Sequence, residues 1–243
     1  MQRVNTPEIL DSNSCPRDEV DTSLQDLCRI NRWFGGVATT RRLIERVASA
    51  TGRMHFSMLE VAAGFGEAPK IAAQQLARKG ITLDITYLDR AQSHLLAADR
   101  TVVADALALP FRDGSFDLVS CSLFAHHLQP DELTCFGSEA LRVSRCAVLI
   151  NDLIRSPIHL ALVYGGFPLM RSYVSRFDGP ASVRRAYVVE ELKEILALGV
   201  PRGTRIHGSW QFLFRMGVVA WKTSNGAAVE LRSTGHSRAA VPA

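Results

Sequence analysis

Residues 57–69 read SMLEVAAGFGEAP, an apolar run closed by an acid and a glycine-rich turn before a helix opens. The spacing predicts strand, ligand-binding loop and helix in succession. Leu59 and Val61 suit a buried strand, Gly64 and Gly66 let the backbone turn sharply and approach a ligand, and Pro69 fits a first helical turn. From residue 67 to 79, Ile71, Ala72, Leu76 and Ala77 recur at helical spacing, and Gly80 follows as a stop. By itself this loop is shared by NAD sites, FAD sites and turns that bind nothing.

The next segments narrow the choice. Residues 81–88, ITLDITYL, form a second apolar strand ending at Asp89, where a doubly wound sheet presents a carboxylate to ribose hydroxyls. Residues 101–111, TVVADALALPF, end a short strand at Asp105, and residues 116–128, FDLVSCSLFAHHL, run a buried strand out into two histidines. This succession, from Leu59 to Leu153, resembles the class I S-adenosylmethionine (SAM) dependent methyltransferases, in particular the small-molecule branch acting on quinone precursors, sugars and phenols. The resemblance implies a doubly wound, mostly parallel, seven-stranded α/β sheet of Rossmann-like type, with N-terminal helices and a lid insertion after strand five. It also implies SAM as cofactor and S-adenosylhomocysteine (SAH) as product.

Carried over residue by residue, the resemblance assigns Glu60, Gly64, Gly66, Asp89 and Asp105 to SAM. The glycine turn passes the methionine and ribose portion, Asp89 binds the ribose diol, and Asp105 with Ala106 meets the adenine edge. Arg90, Leu107 and Ser122 complete the expected set. One position departs: Ala62 stands where the family has its first loop glycine, so a methyl group is expected to crowd that point. Against NAD, no third glycine stands at the GxGxxG spacing, since Pro69 and Lys70 occupy that region.

Composition agrees with one α/β domain. A chain of 243 residues with 47% hydrophobic content can bury one sizeable core. Residues 21–222 are expected to form it, between a flexible N-terminus at 1–20 and a disordered tail at 223–243. No apolar run reaches membrane-spanning length and the N-terminus is not a signal peptide, so a cytoplasmic protein without a membrane partner is expected. The five cysteines, Cys15, Cys28, Cys121, Cys135 and Cys146, lack metal-ligand spacing; buried free thiols and no metal are expected. A net charge of +4 without a basic run between aromatics argues against nucleic acid.

Two helices are expected after residue 21, one through Leu24, Leu27 and Ile30, the other over 39–50, with Trp33 and Phe34 stapling them to the sheet. Residues 132–143 read as a helix, and residues 146–150, CAVLI, as strand five, with Asn151, Asp152 and Leu153 at its carboxyl end. Residues 155–188 exceed a simple crossover and read as a lid over an acceptor pocket; a packing appendage or a contact in a homodimer is the alternative. Leu162, Tyr164, Phe167, Tyr173 and Arg155 are its expected acceptor-facing residues. A helix over 189–198 and two terminal strands, 204–210 and 214–221, the last antiparallel, finish the fold.

Methyl transfer to a hydroxyl requires alignment and removal of a proton. His126 and His127 at the end of strand four are the candidate bases, with Asp152 fixing the tautomer, an arrangement similar to that of sugar and phenol O-methyltransferases. Alternation along a strand would aim only one of them at the site, and His126 is placed ahead; the alternative is that both merely close the strand. His159 and His207 read as structural. The expected activity is O-methylation of a small, apolar, hydroxylated acceptor, phenolic, quinone-like or polyketide, as in secondary metabolism. C-methylation of an electron-rich aromatic, or SAM binding without turnover, remains open.

Overall fold

The computed structural model describes residues 1–11, 15–92, 95 and 100–222; the tail expected to be disordered, 223–243, lies outside them. A single seven-stranded sheet runs in the order β3-β2-β1-β4-β5-β7-β6. Its strands are β1 (His55–Val61), β2 (Thr82–Asp89), β3 (Thr101–Val103), β4 (Phe116–Ser122), β5 (Ser144–Leu153), β6 (Ile206–Gln211) and β7 (Arg215–Trp221). The first five are parallel, and β7 runs antiparallel to both β5 and β6. The order reverses between β1 and β4, which is where open α/β sheets form a ligand crevice.

Strand parity divides the core. In β1, Phe56 and Met58 face one layer, with Ile44 and Val47 of α2 (Gly36–Thr51) and Leu76 of α3 (Glu67–Ala77). Leu59 and Val61 face the other, with Phe136 and Ala140 of α4 (Pro130–Val143) and Leu192 of α7 (Val189–Gly199). By the same period of two, Glu60, Ser120 and Asn151 fall on the α2 face while Asp152 falls on the α4 face. Cys121 is buried in β4, Cys146 is half-buried in β5 and Cys135 is exposed; all five thiols are free.

The N-terminus departs from expectation. α1 begins at Arg17 and runs to Trp33. Instead of standing loose, residues 1–11 bond to the end of α6 and to the turn after β4: the Arg3 guanidinium donates to the carbonyls of Leu128 (3.0 Å) and Arg185 (2.6 Å) and lies 4.3 Å over the Tyr187 ring. The N–H groups of Ile9 and Leu10 donate to the Asp178 carboxylate at 2.7 and 3.1 Å. These partners lie more than 100 residues away, so the local polar composition that suggested a loose end carried no trace of them. Trp33 is exposed and staples nothing, whereas Phe34 turns inward.

The insertion after β5 folds as α5 (Pro157–Gly165), a 3-10 turn at Phe167–Leu169 and α6 (Tyr173–Arg185). Asp26 of α1 accepts the Arg171 and Ser172 N–H groups at 2.8 and 3.0 Å, tying α1 to the start of α6.

Gly66 shows why the turn after β1 needs glycine. Its φ is +63°, and a Cβ built there would sit 2.6 Å from Cε1 of Tyr87 in β2. Left-handed backbone alone costs an L-residue roughly 1–2 kcal/mol, and the ring must also move. Gly66→Ala is therefore expected to destabilise the protein by about 2 kcal/mol or more, read as a lowered denaturant midpoint with unchanged slope.

Candidate active site

One cavity of about 1320 Å³ lies at the carboxyl ends of the parallel strands, roofed by α1, α5 and α6. Roughly 300–1,000 Å³ holds a drug-sized ligand, so the space suits two molecules side by side. Every residue that the resemblance assigns to the cofactor lines it: Glu60, Ala62, Gly64, Gly66, Asp89, Arg90, Asp105, Ala106, Leu107 and Ser122.

The geometry of this half explains itself residue by residue. Asp89 ends β2 almost buried; its Oδ2 accepts the Gly64 N–H and its Oδ1 the Ala91 N–H, both at 3.0 Å, so one carboxylate shapes the loops on either side. Gly64 has φ +53°, and a Cβ built on it meets nothing within 4 Å, so the turn faces open space. Ala62 also takes a left-handed backbone, φ 53°, the conformation that glycine would adopt freely. Glu60 is buried with its Oε2 unpartnered. Burial pushes its carboxyl up to about 7 against hydrogen bonds from Ser120 and Ser122. A buried carboxyl with one unpartnered oxygen and an open glycine turn at the switch point fit a cofactor with a cationic amino acid end.

The second half is built on the α4 face. β4 ends at Ser122, and the histidines sit beyond it in a 3-10 turn, Ala125–His127. Strand alternation therefore does not apply: the two rings lie 4.3 Å apart and both face Glu8. His126 Nδ1 lies 2.7 Å from Asp152 Oδ1, and its N–H donates to Asp152 Oδ2 at 3.1 Å. Its Nε2 is buried 3.6 Å from Glu8 Oε1, an ion-pair separation beyond hydrogen-bond length. Burial opposes the imidazolium, but the Asp152 and Glu8 carboxylates outweigh it and hold the ring up to about 9. Burial likewise opposes the Glu8 carboxylate, which His126, His127 and Arg185 pull below the usual range.

Glu8 escaped the sequence reading because only tertiary structure brings it to the histidines. With His126 and His127 it places ligand atoms within 4.8 Å, a span a divalent ion could bridge. The Arg185 guanidinium 3.5 Å from Glu8 Oε1 and the His126 proton already supply positive charge there, so the group reads as an ion-pair cluster.

The acceptor-side residues expected from the insertion are corrected. Leu162 lines the cavity, but Tyr164, Phe167, Tyr173 and Arg155 do not. Tyr164 and Tyr173 are exposed, the Tyr164 hydroxyl accepting from Arg184. Arg155 is buried elsewhere, donating to the carbonyls of Met1 and Ala186 and to Glu191. Val163, Met170, Gly179 and Val183 line the cavity with Leu162, which is itself half exposed. His159, read as structural, also reaches the cavity wall, its Nδ1 2.9 Å from the Ile154 carbonyl.

Residues 59–146 match the family model of a methyltransferase domain. No curated protein matches the chain. Among solved structures, the plantazolicin methyltransferase BpumL, in complex with a monoazolic desmethylPZN analogue and SAH, aligns with a TM-score of 0.63 at 13% identity over 86% of this chain and 91% of that one. A SAM-dependent methyltransferase from Aquifex aeolicus aligns with a TM-score of 0.55 at 15% identity, over 86% of this chain and all (100%) of that one. At such identities the likeness is one of fold.

Two expectations test the cofactor half. The native state keeps the Glu60 proton to about 7 against an ordinary value of 4.5, so this group's contribution to stability falls as pH rises through that window. Glu60→Gln is expected to stabilise the cofactor-free protein at pH 8 by about 1–3 kcal/mol, to lose that advantage near pH 5, and to bind SAM more weakly, read by denaturant melts at both pH values and by calorimetry. Gly64→Ala adds strain of only about 1 kcal/mol but puts a methyl into the open side of the turn, so SAM affinity is expected to fall at least tenfold in a protein that still folds.

Proposed function

We propose that this chain, a SAM-dependent methyltransferase, methylates a hydroxyl on a small, largely apolar acceptor of phenolic, quinone-like or polyketide type, with His126 and Asp152 removing the hydroxyl proton. SAM, when bound, supplies a methyl group on a sulfonium. The observation that carries the reading is the 2.7 Å contact between His126 Nδ1 and Asp152 Oδ1 at the cavity floor, with Nε2 turned toward Glu8 Oε1 at 3.6 Å. Asp152 accepts the Nδ1–H hydrogen bond, so Nε2 is the nitrogen left to act as base. Residues of α5 and α6 exclude water from the space above, which strengthens every charge interaction inside. Glu8 and Asp152 together stabilise the imidazolium that proton removal creates.

Glu60, the Gly64 turn, Asp89 and Asp105 would hold the cofactor on the other side of the switch point, with Ser122 between the two halves. Ala62 does not exclude a cofactor, because its left-handed backbone reproduces the turn a glycine would make. A longer acceptor is the second reading, favoured by the cavity's 1320 Å³. C-methylation of an electron-rich aromatic would use the same base. A screen of phenols and quinols with mass detection of a methyl gain tests the reaction directly; SAM binding with no methyl gain in any acceptor would point to a binding protein without turnover.

The raised His126 value predicts the pH profile. Base catalysis needs the neutral ring, so turnover is expected to climb with pH toward about 9. Glu8→Gln removes one carboxylate that holds the proton and should move this limb down by of the order of one pH unit. His126→Ala should lower kcat by about a hundredfold to ten-thousandfold with SAM affinity unchanged, and Asp152→Asn should produce a defect of the same kind. A pH profile unmoved by Glu8→Gln and full activity in His126→Ala would remove the base from the mechanism.

A further inference from the structure

Arg215 opens β7 opposite Leu153, beyond the His126–Asp152 pair on the side away from Asp89. Four strand spacings of about 4.8 Å separate β7 from β2, roughly 19 Å, so Arg215 lies toward the acceptor end. Its side chain is 1% exposed and forms part of the cavity wall. Nη2 donates to the Asn31 side-chain oxygen at 2.6 Å, a neutral partner, and Nη1 has none.

The charge is only partly offset. Among the described residues, Asp152 is the carboxylate whose field reaches the guanidinium. Its oxygens are already engaged by His126 Nδ1, the His126 N–H and the Leu153 N–H. Burial consequently lowers Arg215 to about 10. On the neighbouring wall His159 stacks on Phe214 with ring centroids 5.2 Å apart, and burial, aided by Arg215, disfavours a second positive charge on its ring. Apart from Asp152, whose oxygens are engaged, the described neighbours give this cation no anion, and one of its donors is idle. Leaving such a group uncompensated costs several kcal/mol, and the planar fork of an arginine is matched best by a carboxylate.

We propose that Arg215 anchors a carboxylate carried by the acceptor, so that the substrates are hydroxylated carboxylic acids with an apolar or aromatic body. This rests on the reading of a hydroxylated acceptor beside His126 and adds the group that orients it. The same chemistry has a second source, the carboxylate at the amino acid end of the cofactor.

The test uses the full chain loaded with SAH and a matched pair of probes, 4-hydroxybenzoate and the neutral 4-hydroxybenzamide, titrated by calorimetry into wild type, Arg215→Lys and Arg215→Met. Wild type is expected to bind the carboxylate at least tenfold more tightly than the amide, Arg215→Lys to keep part of that preference, and Arg215→Met to lose it with SAH affinity unchanged. Arg215→Met should also melt no lower than wild type without ligand, because it removes a buried charge that is only partly offset, and its melting point should no longer respond to the carboxylate. Equal binding of the two probes to wild type, no binding of the carboxylate, or a preference that survives in Arg215→Met overturns the proposal. Loss of SAH affinity with the probe preference retained overturns it too, since the anion is then the cofactor's. If the methionine variant fails to fold, Arg215→Lys decides: a preference equal to that of wild type shows the planar fork to be irrelevant and overturns the carboxylate match. Methyl gain on 4-hydroxybenzoate, measured separately with SAM, reports on the O-methylation reading and leaves the binding result independent of it.

Discussion

The acceptor half of the molecule hangs on one buried carboxylate, Asp152. It accepts the His126 ring and backbone N–H and the N–H of Leu153, so it fixes both the turn that carries the histidines and the tautomer of the ring. A protonated ring at this depth needs a second anion, and Glu8 comes to it from the N-terminal segment. Arg3 and the Asp178 bonds then fasten that segment across α6 and the histidine turn. Buried ion pairs of this kind contribute little net stability against well-packed apolar groups, because desolvation cancels most of the attraction, whereas breaking one leaves a charge uncompensated. The arrangement is therefore a positional device, which links the order of the N-terminus to the state of the candidate base.

Backbone strain converges on the same cavity. The non-glycine residues with left-handed φ among the described residues are Ala62, Leu123, Leu213 and Phe214, and all four line it. A left-handed L-residue costs about 1–2 kcal/mol and persists only where the surroundings over-determine it. At Ala62 the Asp89–Gly64 bond and the strand exit dictate the turn. At Leu123 the N–H is held by the Asn151 carbonyl, 2.9 Å away. At Leu213 and Phe214 the tight β6–β7 connection delivers Arg215 to the wall.

How much of this the sequence disclosed follows the range of the interactions. Strand parity and a glycine turn are local, so β1, its loop and Asp89 were legible, as was the antiparallel last strand. The histidines were found but mislocated, because a chain leaving a strand can keep alternating or coil into a 3-10 turn, and the Leu123 backbone that decides it is set by Asn151 from another strand. In the insertion, apolar content was visible but helix phase was not; Tyr164 and Tyr173 are large and aromatic, and they face solvent. Glu8 and Arg215 were illegible for a common reason: nothing near either in the chain pairs with it, and each acquires meaning from partners more than 100 residues distant.

The period of two along the strands has a functional consequence. Glu60 leaves β1 on the α2 face with Ser120 and Ser122, while Asp152 leaves β5 on the α4 face with His126. The sheet itself thus keeps Glu60 and the His126–Asp152 pair apart, in environments that move their protonation in different ways. Among the described residues no cation stands beside Glu60, which burial raises toward neutrality; Asp152 has the His126 ring against it and is held low despite equal burial. β4 alone separates their strands, so on one face the two carboxylates would stand two strand spacings apart. Placed on opposite faces, one can receive a cationic ligand while the other orients a base, and neither function has to be traded for the other.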